Sequence, residues 1–144
     1  MKKLVIAACL ALGATVAVAA EHGSAAEARA MLEKAVAAIS TDKATALGQI
    51  ARGEAGFKDR DLYPFCGGPD GNFTAHPSLT GKSMKGLVDK AGEPVGQKLY
   101  AAAAEGSISE VGYMWPRPGS QDPVQKVSFV TRVGDQVCAV GYYK

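Results

Sequence analysis

Apolar residues recur at helical spacing over Ala28, Met31, Leu32, Ala35, Val36 and Ile39, which predicts an amphipathic helix over residues 25–39. Ser24-Ala25-Ala26-Glu27 in front of it is a capping box, with Ser24 as N-cap and Glu27 able to reach back. Thr41 or Asp42 can cap a second helix with Ala44, Leu47 and Ala51 on its inner side, and Gly53 and Gly56 end it. The texture then changes. Residues 62–66 are short and aromatic, Gly67-Gly68-Pro69-Asp70-Gly71 concentrates turn residues, and residues 72–76 follow as a second short strand. Together they predict a hairpin. Residues 77–92 are polar and rich in Gly and Lys, with Met84, Leu87 and Val88 as inward candidates and room for a short helix. Glu93-Pro94 opens another helix, with Val95, Leu99 and Ala102 on one face and Gly106 at its end.

The last third has strand character. Residues 110–115 alternate, placing Val111, Tyr113 and Trp115 on one side. Residues 124–133 form a longer strand, Gly134-Asp135 a tight turn, and residues 136–143 the closing strand. Helices, two strands, a helical stretch and three strands predict an α+β domain built on one five-stranded, mostly antiparallel sheet.

The first 19 residues stand apart from this pattern. Lys2 and Lys3 precede an apolar run, and Ala17-Val18-Ala19 offers small residues where a signal peptidase reads. The stretch is marginal for a spanning helix, which needs about 20 apolar residues, and no basic stop-transfer flank follows. A secretory signal over residues 1–19 is therefore expected, ahead of one domain over residues 20–144. Ile6-Ala7-Ala8-Cys9 resembles a lipoprotein box, but its apolar lead is shorter than the about 7–15 residues of a signal core, so Cys9 reads as a bystander.

Removal of the signal changes the charge. The chain has 16 basic and 14 acidic residues, and Lys2 and Lys3 leave with the signal, so the remainder is balanced. Such a surface has no field for nucleic acid or anionic membranes, and no other apolar run suggests membrane insertion. A periplasmic or secreted product is expected. Two cysteines remain, Cys66 and Cys138, and an oxidising compartment favours a disulfide over two buried thiols.

Signatures of enzymes are scarce. There is no P-loop, no G-x-G-x-x-G after a strand, no H-E-x-x-H and no G-x-S-x-G. Outside the signal the histidines are His22 and His76. A metal site would need partners beside His76, and nearby Asp70 is explained by its turn. A Cys66–His76 nucleophile pair competes with the disulfide for the same sulfur. No enzyme activity and no cofactor are expected. What stands out is the gathering of Tyr63, His76, Tyr113, Trp115, Arg117, Lys126 and Tyr142 on predicted strands. Tyr and Trp supply apolar walls with polar tips, and Lys and Arg supply anchors for a carboxylate. Strands also favour Tyr and Trp for packing alone, so a structural or interaction module with a filled hollow stays open.

Three stretches together resemble the second type of single Cache domain. The first is Asp61-Leu62-Tyr63-Pro64-Phe65, the Pro69-Asp70-Gly71 turn and Thr74-Ala75-His76-Pro77. The second is Gly81-Lys82-Ser83 with Asp89-Lys90-Ala91-Gly92 and the helix after it. The third runs from Gly112-Tyr113-Met114-Trp115-Pro116-Arg117-Pro118-Gly119 through Lys126-Val127-Ser128-Phe129-Val130 to Val140-Gly141-Tyr142-Tyr143. The resemblance implies a PAS-like fold: a long N-terminal helix behind a five-stranded antiparallel sheet of order 2-1-5-4-3, with a helical insert between strands 2 and 3. It also implies capture of a small molecule, often a short carboxylate, between sheet and insert. In that order Cys66 and Cys138 lie on neighbouring strands, within reach of a bridge. Family members feed a kinase or chemoreceptor through membrane helices. No second membrane segment or output domain is seen here, so a membrane sensor kinase or chemoreceptor is the expected partner.

Overall fold

The computed structural model describes residues 20–144. The expected signal peptide and Cys9 lie outside the described residues.

Helix α1 spans Ala25–Thr41 and begins at the capping box, with Ser24 accepting from the Glu27 N–H and the Glu27 carboxylate accepting from the Ser24 N–H. It buries Ala28, Met31, Leu32, Ala35 and Ile39. Asp42 closes α1 through its backbone and starts α2 (Lys43–Arg52) through its side chain, which accepts from the Thr45 N–H. Gly53 ends α2 in the left-handed conformation, φ 66°. The strands are β1 (Pro64–Gly67), β2 (Phe73–Ala75), β3 (Ser109–Pro116), β4 (Pro123–Val133) and β5 (Gln136–Tyr143), with α3 (Val95–Ala102) between β2 and β3. They form one sheet of order β2-β1-β5-β4-β3, every pairing antiparallel.

Alternation along the strands, interrupted by a register shift where β1 meets β2, splits the interior into two layers. Cys66, Ala75, Phe129, Val133, Cys138 and Val140 face α1 and α2. Phe65, Phe73, Val111, Tyr113, Val130, Val137 and Ala139 face the other way, where Met84, Val95 and Leu99 cover them. Cys66 and Cys138 are register partners on β1 and β5 and form a buried disulfide. It closes a loop of 72 residues, which the chain-entropy account values at about 4 kcal/mol.

Three expectations need correction. The stretch 77–92 holds turns and no helix. Its donors and acceptors go to the β hairpin instead: Lys82 O accepts from Phe73 N, and Met84 N and Lys85 N donate to Gly71 O. Val88, offered as an inward residue, is 53% exposed. Helix α3 ends at Ala102, before Gly106: Ala103 is already extended (φ -73°, ψ 117°), and the chain leaves towards β4, where Ala104 O accepts from Arg132 N and the Thr131 hydroxyl.

Candidate functional site

A cavity of about 310 Å³ opens at one end of the sheet, between the loop before β1, the start of the insert and the turn after β3. Tyr63, His76, Leu79 and Trp115 line it, with Pro77, Pro116 and Pro118 as rigid apolar surface. Its lining carries three cations, Lys58, Arg60 and Arg117, and no acid. Trp115 reaches it because it shares a strand face with Val111 and Tyr113, and its ring meets that of Tyr113 edge-on at 6.3 Å.

His76 is fixed by its own turn. Its Nδ1 accepts from the backbone N–H of Ser78 (3.0 Å) and of Leu79 (3.1 Å). The proton of the neutral ring therefore sits on Nε2, which is left as a donor. Burial, with a smaller contribution from the Lys126 charge, pushes its pKa down to about 4, so the ring is neutral at pH 7.

The two arginines differ in their commitments. Arg60 has a left-handed backbone, φ 54°, and its guanidinium bonds to Asp59, to Glu27 and to the carbonyls of Ala20 and His22. Arg117 lies over the Tyr143 ring at 5.2 Å, with Nε 3.6 Å from the buried carboxylate of Asp61. Its side chain is 27% exposed and donates no hydrogen bond to a described residue, so its planar fork is held in place with its donors available.

Behind this wall lies Lys126, 2% exposed. Its ammonium sits among the rings of Tyr63 (4.7 Å), Tyr143 (5.0 Å), Phe65 (5.6 Å) and Tyr113 (6.0 Å), and donates to the Tyr63 hydroxyl at 3.3 Å. No carboxylate among the described residues lies within ion-pair distance. Burial without a counter-ion pushes its pKa down to about 7, against a weak opposing pull from Asp61. The stem needs Gly141 beneath it: a Cβ there would lie 2.2 Å from Lys126 Cε. The hydroxyls around it are engaged, Tyr113 with Ser128 (2.8 Å) and Tyr143 with Pro116 O (2.9 Å), and burial raises the pKa of both phenols.

A family model for the Cache domain matches residues 30–136. The chain belongs to the Cache domain family. Over 56 residues it is 32% identical to the methyl-accepting chemotaxis protein McpP of Pseudomonas putida, a match covering 39% of this chain and 10% of that protein's length. Its structure is similar to a periplasmic sensor domain of a chemotaxis protein, with TM-score 0.61, 26% identity and 80% and 86% of the two chains covered. It is also similar to a Cache chemosensory domain described for carboxylic acid recognition, with TM-score 0.63, 18% identity and 82% and 91% covered. At that identity the second likeness speaks for the PAS-like fold alone.

Within this Cache domain the seven residues singled out by sequence divide three ways. Tyr63, His76, Trp115 and Arg117 share the cavity wall. Lys126 and Tyr113 are on the same side of the sheet but beneath that wall, so the lysine expected to present its charge to a ligand is covered by aromatic rings. Tyr142 lies on the opposite face, where it stacks on Phe129 at 5.8 Å beside α1. Its neighbour Tyr143 takes the place expected of it, as the register partner of Lys126. The nucleophile pairing of Cys66 with His76 fails, because the sulfur is bonded on the helix side. Asp70 has both oxygens on Asn72. Lys58 and Arg60 were not singled out, and Asp61 entered only as the first residue of the Asp61-Leu62-Tyr63-Pro64-Phe65 stretch. Their signal, the alternating charges Lys58-Asp59-Arg60-Asp61 just before an aromatic strand, is also what an ordinary solvated loop looks like.

Proposed function

We propose that this Cache domain is an exported binding module that captures a small organic anion in the cavity between Tyr63, His76, Trp115 and Arg117, and offers the loaded state to a membrane sensor kinase or chemoreceptor. Residues 1–19 direct export, and residues 20–144 form the module. The observation that carries the reading is Arg117: a guanidinium held by an aromatic ring and a carboxylate, with free donors at an apolar cavity whose lining has no acid. Such a fork can take a carboxylate by two parallel hydrogen bonds, while His76 Nε2–H supplies a neutral donor. Trp115 and Leu79 hold the apolar body of the ligand. No covalent step is involved. Occupancy matters to a partner only through different affinities for the empty and loaded forms.

A thermal-shift screen of residues 20–144 against acetate, propionate, pyruvate, succinate and benzoate tests this. An acid at 100 times its Kd adds about 2.7 kcal/mol of stability, and Arg117→Ala removes the effect. A shift that survives in Arg117→Ala, or none with any acid, refutes it. The second reading is a structural module with a filled hollow. Closure of the aromatic rings over Lys126 favours it, and a screen without response supports it.

A further inference from the structure

Among the described residues just two buried side-chain N or O atoms lack a hydrogen-bond partner, and they face each other: Asp61 Oδ2 and Arg117 Nε, 3.6 Å apart. Neither atom is isolated from the chain around it. The other oxygen of Asp61 accepts from the Gly23 N–H at 2.7 Å, and Oδ2 is 3.3 Å from His22 Nδ1. Arg60 binds the carbonyls of Ala20 and His22. Gly23 is pressed so close to Leu62 that a Cβ would lie 2.2 Å from Leu62 Cγ. Residues 20–24, which lead into the capping box of α1, are thus clamped to Arg60, in the cationic wall of the cavity, and to Asp61, behind it.

A buried carboxylate and a guanidinium normally close to about 2.8 Å. Here the charges oppose each other while the hydrogen bond stays open. We infer that Asp61 is a positioning residue, whose carboxylate steers the Arg117 guanidinium towards an anion in the cavity and passes cavity occupancy to residues 20–24. An anion on the outer edge of the fork needs to move Arg117 by only tenths of an ångström to make or lose the Asp61 contact. The same carboxylate holds Gly23, so the change reaches the start of α1. Coupling of this kind is reciprocal, so disturbing residues 20–24 must also change capture. The steering half of the inference rests on the anion reading above, and the link from Arg117 to Gly23 does not.

The sign of one substitution is decisive. If Asp61 were only a negative charge beside an anion site, removing that charge would tighten capture. A positioning role predicts the reverse. Residues 20–144 with the disulfide intact are titrated calorimetrically with propionate, pyruvate and succinate. Asp61→Asn weakens capture about tenfold and Asp61→Glu restores most of it. Tighter or unchanged capture in Asp61→Asn overturns the inference. If no acid binds the wild type, the proposed function fails, and a ligand-free measurement then decides the rest. In Arg117→Ala the buried carboxylate loses its cation and must turn or take up water. The Gly23 amide then shifts in the NMR spectrum and exchanges about tenfold faster, while the amide of Val130, on the interior strand β4, keeps its protection. Arg117→Lys restores both. A Gly23 amide that ignores Arg117→Ala overturns the coupling.

Discussion

Lys126→Met tests the energetics of the covered cation. Burial holds the ammonium at about 7 rather than the usual 10.5. At pH 6 both folded and unfolded chains carry the proton, and the folded one carries it at a disadvantage of roughly 5 kcal/mol. Methionine is unbranched, of similar length and uncharged, so it follows the same path over Gly141. The expected gain is about 1–4 kcal/mol at pH 6, as for other buried charges replaced by apolar side chains. The pH dependence has a definite sign. Between about 7 and 10.5 the unfolded chain binds more protons than the folded one, so wild-type stability climbs with pH across that window. The methionine variant lacks this slope, and its advantage at pH 9.5 is about 3 kcal/mol smaller than at pH 6. Urea unfolding of both proteins at the two pH values measures it. A variant less stable than wild type at pH 6, or an advantage independent of pH, refutes the account.

Other outcomes follow from the same contacts. His76→Asn keeps an acceptor for the Ser78 and Leu79 amides but removes a ring held neutral down to about pH 4. Wild-type stability falls as pH drops from 6.5 to 4, by at most roughly 3 kcal/mol from this residue, and acid unfolding of the variant lacks that component. The double variant Cys66→Ala/Cys138→Ala loses about 4 kcal/mol, read as a lower denaturant midpoint that reductant no longer changes. Asp89→Ala releases the insert, because one oxygen of this carboxylate holds Ala91 and Glu93 and the other the Met114 amide. Limited proteolysis then cuts residues 77–92 faster than in wild type while the sheet stays intact.

Local rules carried most of the architecture. The capping box at Ser24, the Gly134-Asp135 turn and the bounds of β5 all match the sequence-based expectation, because each depends on neighbours within a few residues. The miss at α3 lies where the chain leaves towards β4, and the miss at residues 77–92 came from backbone bonds to the hairpin. Both are tertiary effects that periodicity does not carry. Tyr142 was a different matter. It has the parity of Cys138, and a disulfide on the helix side forces it there, so pairing parity with the bridge would have selected Tyr143. Lys126 is expected from sequence to offer its charge to a ligand, but how deep it sits depends on which rings close above it, and those come from β1, β3 and β5 as well as the loop before β1. The role of Asp61 appears only when residues 23, 61 and 117 meet.

The carboxylate of Asp89 has one more effect. The outer margin of β3 runs along the rim of the sheet, and there the Met114 amide already donates to Asp89 while Pro116 has no amide to offer. A foreign strand seeking to extend the sheet from that side meets a negative charge where its own carbonyl would have to sit. The residue that fastens the insert therefore also guards against edge-to-edge self-association, which a concentrated protein without such a stopper would risk.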